Sequence, residues 1–154
     1  MNRYYARQLE ELLIAKKYEE ALRIYKFLAE KGHLEALLNI GDMYFHGMGV
    51  SQDYGPAFKY YKLSADQGDL EGQYMLGNMY YSGLGVDKNL SEAIKYYKLS
   101  ADQGYYGAQT ELGNMYYYGK GVDKNLTEAK RYFTLAAGLG DEEAKKLLDT
   151  LDFE

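Results

Sequence analysis

Cysteine and tryptophan are absent from this chain of 154 residues, and proline occurs once, at Pro56. Without cysteine there can be no disulfide framework, thiolate zinc site, iron–sulfur cluster or cysteine nucleophile. Histidine is nearly absent too: His33 and His46 are too few for a three-histidine zinc site, and no His-Glu-x-x-His or comparable spacing exists. No run approaches the roughly 18 apolar residues that a membrane-crossing helix needs. The N-terminal stretch Met1-Asn2-Arg3-Tyr4-Tyr5-Ala6-Arg7 lacks the apolar core of a signal peptide. These features suggest a cytoplasmic protein with no membrane insertion. Positive charge is also in short supply: 18 Lys and Arg face 23 Asp and Glu, a net charge of −5. Such a chain has no broad positive field for nucleic acid, so no nucleic-acid partner is expected.

Other catalytic signatures are missing. Gly47-Met48-Gly49, Gly83-Leu84-Gly85 and Gly119-Lys120-Gly121 look superficially like phosphate loops. They follow helical rather than strand patterns and lack the Gly-Lys-Ser/Thr ending. No serine sits in a nucleophile elbow. Acidic neighbours such as Glu10/Glu11 and Glu142/Glu143 would point apart on a helix. Asn89-Leu90-Ser91 and Asn125-Leu126-Thr127 match glycosylation sequons but suit helix capping as well. No catalytic residue, metal or cofactor is expected.

What the chain has in abundance is tyrosine, 19 residues, and glycine, 17, many of them recurring at a fixed spacing. The ten residues Lys59 to Gly68 recur unchanged as Lys95 to Gly104, Gly77 to Tyr81 recurs as Gly113 to Tyr117, and Val86 to Leu90 as Val122 to Leu126. Each offset is 36 residues. The same period links Gly32, Gly68, Gly104 and Gly140; Ala21, Ala57, Ala93 and Ala129; and Gly41, Gly77 and Gly113. An internal repeat of this length marks a solenoid.

Within one period, Leu37, Ile40, Gly41 and Tyr44, then Ala57, Tyr60, Tyr61 and Ser64, step at helical spacing, so each unit is two helices. Gly32 and its equivalents suit a left-handed cap on the second helix, and the Gly-x-Gly segments end the first. Asn89 and Asn125, each with Glu three residues on, resemble capping boxes, and Pro56 lies in a first helical turn. The pattern predicts an all-α chain of nine helices, near 2–16, 19–31, 34–47, 54–67, 70–82, 90–103, 106–118, 126–138 and 141–151. Gly41, Gly77 and Gly113 fall in mid-helix, where Gly costs about 1 kcal/mol relative to Ala, so close helix contact is expected there.

The pattern Leu76-Gly77-x-x-Tyr80, Gly83-x-Gly85-Val86, Glu92-Ala93 and Ser100-Ala101-x-x-Gly104 resembles the Sel-one-like repeat (SLR), a relative of the tetratricopeptide repeat with a longer, Gly-rich turn. The resemblance implies a right-handed superhelical α-solenoid of antiparallel helix pairs that serves as an adaptor or scaffold for a partner protein. It covers three units, 33–68, 69–104 and 105–140. Residues 1–32 read as an N-terminal capping pair, with Lys17 to Ala21 like the short tetratricopeptide turn, and 141–154 read as a C-terminal capping helix in which Asp149 replaces the mid-helix Gly. On this reading the array is complete and forms a single domain.

As in the related repeats, the first helix of each pair is expected to line the concave side. The stripe beside the core positions is Leu38, Asp42 and Phe45; Tyr74, Asn78 and Tyr81; and Thr110, Asn114, Tyr117 and Tyr118. These residues are the candidate partner-binding face. Its aromatics offer large contact area at low entropy cost, and its two amides can hydrogen-bond an extended backbone. Tyr44, Tyr80, Tyr116, Tyr61, Tyr97 and Phe133 are expected to fill the core instead. The second helices carry Lys59, Lys62 and Asp66, then Lys95, Lys98 and Asp102, then Arg131, and read as a solvated mixed-charge face. A carboxylate clamp of the tetratricopeptide type is not expected, because only Lys145 and Lys146 place cations on a first helix. A protein or peptide partner is expected, with the chain a monomer or weak homodimer; self-assembly through the exposed aromatics, or small-ligand binding, is the alternative.

Overall fold

A computed structural model describes residues 3–153. Among the described residues there are nine helices and no strand: α1 (Arg3–Ile14), α2 (Tyr18–Glu30), α3 (Glu35–His46), α4 (Tyr54–Asp66), α5 (Leu70–Ser82), α6 (Leu90–Asp102), α7 (Tyr106–Tyr118), α8 (Leu126–Gly138) and α9 (Glu142–Thr150). Each helix packs on those immediately before and after it in the chain, which is the layout of an all-α solenoid. The expected boundaries hold to within about two residues. The largest departure is α1, which ends at Ile14 because Lys16 takes a left-handed conformation (φ 55°).

Local chemistry accounts for the punctuation. Asp53, Asp69, Asn89, Asn125 and Asp141 cap the N-termini of α4, α5, α6, α8 and α9, each accepting a backbone N–H of the first turn. At Asn89 and Asn125 the cap runs one way only. The expected reciprocal carboxylates, Glu92 and Glu128, turn outward to Lys95 and Arg131. Gly68 closes α4 with φ +87°: its N–H reaches the Ala65 carbonyl and the Asp69 N–H reaches Ser64, the paired bonds of a Schellman cap.

The core is built from contacts that repeat. Ala21, Ala57, Ala93 and Ala129 are fully buried, as are Tyr61, Tyr97 and Phe133. These three rings lie flat against the mid-helix glycines: a Cβ on Gly41 or Gly77 would sit 2.6 Å from the Tyr61 or Tyr97 ring, and one on Gly113 2.5 Å from Phe133. The helical penalty of glycine is the condition for this approach. Tyr44, Tyr80 and Tyr116 pack against this core as expected, from its edge. They are only half-buried and stack on Tyr60, Tyr96 and Tyr132 with ring centroids 6.0, 5.8 and 5.8 Å apart.

Units are joined by glycine and by polar bonds. The turn after α5 presses Gly85 against the Tyr54 backbone at the start of α4, and Gly49 meets Tyr18 at the start of α2 in the same way. The buried Ser100 hydroxyl donates to the Leu70 carbonyl at 2.7 Å, and the Gln103 amide bridges Gln73 Oε1 (2.8 Å) and the Gly68 carbonyl (3.0 Å).

Candidate functional site

The candidate residues lie on three first helices: Leu38, Asp42 and Phe45 on α3; Tyr74, Asn78 and Tyr81 on α5; Thr110, Asn114, Tyr117 and Tyr118 on α7. All but Thr110 and Tyr118 are half-buried, the usual condition of a residue that packs on one side and faces outward on the other. Their local surroundings divide them.

On α3, Phe45 packs between Tyr54 and Tyr61 (5.2 and 6.2 Å), and Leu38 joins the same cluster, so both are largely committed to the fold. Asp42 accepts the Tyr61 hydroxyl at 2.7 Å. Its carboxyl is pushed above the usual range by burial, against the opposing effects of the Tyr61 bond and nearby His46.

On α5, the Tyr97 hydroxyl donates to Asn78 Oδ1 at 2.7 Å, the counterpart of the Tyr61–Asp42 bond. The Asn78 oxygen is thereby half used. Tyr74 packs on Tyr97 and Tyr105 (5.9 and 4.9 Å), and burial raises its hydroxyl above the ordinary tyrosine value. Tyr81 accepts from Lys120 Nζ at 3.1 Å, and the same ammonium lies 5.4 Å from the Tyr118 ring, so Lys120 ties α5 to the end of α7.

On α7 the residues separate further. Thr110 is buried, 5% exposed, and its hydroxyl donates to the Asp141 carboxylate that caps α9. Tyr117 is covered by Phe153 (5.7 Å), whereas Tyr118 is 56% exposed. Asn114 is the counterpart of Asn78 one repeat on, where Phe133 replaces Tyr97 and has no hydroxyl to offer it, and Asn114 pairs with Glu111. The Glu111 carboxyl is raised by burial and then by Glu143, while Asn114 and Lys120 act in the opposite direction.

Two contributors were not foreseen from the repeat pattern, because both break it. Glu111 stands where earlier units carry Asn39 and Met75, and Lys120 where they carry Met48 and Leu84. A departure from the repeat was the available signal. Together α3, α5 and α7 carry Glu35, Asp42, Glu71 and Glu111 and no Lys or Arg. The structure therefore gathers Tyr74, Asn78, Tyr81, Glu111, Asn114 and Tyr118, with Lys120 among them, into an amide- and tyrosine-rich face. Leu38, Phe45, Thr110 and Tyr117 serve mainly to pack its edges. Among the described residues no three His, Asp or Glu side chains group as metal ligands, and no helix is long and apolar enough to cross a membrane.

Comparison with known proteins agrees with this architecture. The Sel1 repeat model matches residues 34–69, 70–105 and 107–141. A Sel1 repeat protein from Oxalobacter formigenes is 33% identical with a TM-score of 0.85 over 92% of this chain and 58% of its own. The protein c5321, a protective antigen of uropathogenic Escherichia coli with an SLR fold, is 33% identical with a TM-score of 0.80 over 82% of this chain and 27% of its own. Helicobacter pylori cysteine rich protein B is 27% identical with a TM-score of 0.55, over 58% of this chain and 67% of its own. The chain thus spans less than two thirds of the length of the first two. No curated protein sequence matches it. Repeats of this kind are in general protein-interaction scaffolds. With three matched units in the register of its helix pairs, this chain belongs to the Sel1 repeat family.

Proposed function

We propose that the chain is an adaptor that holds a partner protein against the face built by α5 and α7, without chemistry of its own. The observation that carries this is the pairing of Asn114 with Glu111: a half-buried carboxylate held above its usual pKa beside an amide whose oxygen receives no bond from the ring beneath it. Asn114 and Lys120 offset the burial of the Glu111 carboxylate only in part, and a ligand that supplies a backbone N–H and a cation lowers the remaining cost. A partner segment with an extended backbone and a Lys or Arg side chain fits: the backbone meets the Asn114 oxygen and the remaining lone pair of the Asn78 oxygen, and the cation and its aliphatic stem take over Glu111 and the Tyr81 and Tyr118 rings from Lys120.

The first and last described helices differ in the surface they present. Helix α9 directs Glu142, Glu143, Lys145, Lys146 and Asp149 outward, the polar surface expected of a cap. Helix α1, by contrast, leaves Leu13 and Ile14 exposed.

The test is affinity capture from the source lysate on immobilised wild type and on the Tyr81→Ala/Asn114→Ala variant, with circular dichroism on both. A protein retained by the wild type and lost from an equally helical variant supports the adaptor. Identical retention on both would remove this face from consideration, and a dimer in light scattering that the variant dissolves would point to self-association.

A further inference from the structure

The two most exposed of the large apolar side chains among the described residues both lie on α1: Ile14 is 76% exposed and Tyr4 67%. They stand about 15 Å apart along the helix, and Arg7 and Glu11 lie between them on the same stripe, at steps of three and four residues. Both charged side chains point into solvent, 82 and 64% exposed. Only Leu9 of α1 is fully buried, on the opposite side of the helix.

The order of charge along α1 runs against its own dipole. Arg3 and Arg7 stand toward the N-terminal end, Glu10 and Glu11 toward the C-terminal end, with no acidic residue in the first turn and no basic one in the last. A helix on its own favours the reverse order. The Arg7–Glu11 ion pair, at 3.0 Å, is exposed and has its acid on the C-terminal side, the weaker orientation for residues four apart. It is therefore readily exchanged for a pair with another chain.

We propose that this stripe is a self-complementary docking surface whose occupant is α1 of a second copy of the chain, packed antiparallel about a two-fold axis level with Leu9. In that register Arg7 of each copy meets Glu11 of the other, and Tyr4 meets Ile14. Two ion pairs form at the centre, and an apolar contact closes each end. Antiparallel packing also sets the positive end of each helix dipole beside the acidic half of the other helix, so the adverse charge order becomes a favourable one. The flanking charges fit the same register: Glu10 comes opposite Gln8, Arg3 opposite Ala15, and Lys17 is turned onto Glu20 at 3.6 Å. Only Lys16, beyond the helix, approaches Arg3 of the other copy, at the outer edge of the contact. One helix from each copy makes a small interface, below about 1,200 Å², so the dimer is weak and exchanges. This surface is separate from the face built by α5 and α7 and does not depend on it.

The test is sedimentation equilibrium of the chain from about 10 μM to 1 mM, with circular dichroism on every variant. The wild type should move with concentration from 17.6 kDa toward twice that mass. Arg7→Glu and, separately, Glu11→Arg place like charges opposite one another, and each should weaken self-association at least about tenfold. An equimolar mixture of these two variants should dimerise again, as should the double variant Arg7→Glu/Glu11→Arg, because opposite charges then meet across the axis. Ile14→Arg should weaken the dimer as well, and Tyr81→Ala/Asn114→Ala should leave it unchanged. A wild type that stays monomeric throughout would overturn the proposal. So would a dimer that keeps its affinity in Arg7→Glu and Ile14→Arg, one that Tyr81→Ala/Asn114→Ala dissolves, or failure of the two charge variants to associate when mixed.

Discussion

The Tyr97 hydroxyl donates to Asn78 at 2.7 Å, and one repeat further on Phe133 occupies the place of Tyr97 beneath Asn114 without a hydroxyl to donate. One unit thus uses its amide to fasten two helices together, while in the next the amide pairs with Glu111 of its own helix instead. Phe133→Tyr should restore the missing bond and raise stability by about 1 kcal/mol. In an Asn114→Ala background the same change should bring no gain. Urea denaturation of the four proteins reads the coupling directly, and an equal gain in both backgrounds would show that the hydroxyl finds another partner.

The mid-helix glycines give a second expectation, because helix propensity and packing oppose one another there. Gly77→Ala gains about 1 kcal/mol of propensity, but its Cβ would lie 2.6 Å from the buried Tyr97 ring, which has nowhere to move. The packing loss should win, with net destabilisation of about 1–3 kcal/mol. Gly138→Ala, at the end of α8 with nothing near the new methyl, should instead stabilise by about 0.5 kcal/mol. Thermal melts of both variants check the opposite signs.

Glu111 makes stability depend on pH in a defined direction. Burial raises its pKa in the folded chain above the ordinary 4.5, so the folded state holds this proton more tightly than the unfolded state. The favourable contribution is complete below about pH 4.5 and is lost as pH rises through the raised value. Glu111→Gln should therefore be more stable than the wild type at pH 7, and the gap should close on acidification. A melt series across this range tests it, and a gap independent of pH would mean that the carboxylate is not responsible. If the carboxylate meets a partner's cation, the same substitution should weaken capture of that partner at neutral pH.

Most of the fold was legible in the sequence because a solenoid repeats every signal. Gly68, Gly104 and Gly140 mark one kind of helix end several times over, and Gly77 announces its contact with Tyr97 by standing where helix propensity argues against it. The candidate face was legible less completely, since helical phase shows which side a residue occupies but not what its neighbours do. Thr110 and Tyr117 share the phase of exposed residues, yet Asp141 and Phe153 from beyond the last unit take them up. Glu111 and Lys120 were hidden for the converse reason, because a periodic pattern draws attention to what recurs. Tyr44, Tyr80 and Tyr116 carry the family's core spacing but stack at the margin, where Lys26 reaches the Tyr44 hydroxyl at 3.1 Å.

The most direct test is the affinity of a captured partner for Asn114→Ala and for the wild type, with thermal stability measured on the same samples. We expect affinity to fall at least about tenfold with at most a small drop in melting temperature, from the lost bond to Glu111. Unchanged affinity, or a loss that merely follows reduced stability, would contradict the assignment of this face to partner binding.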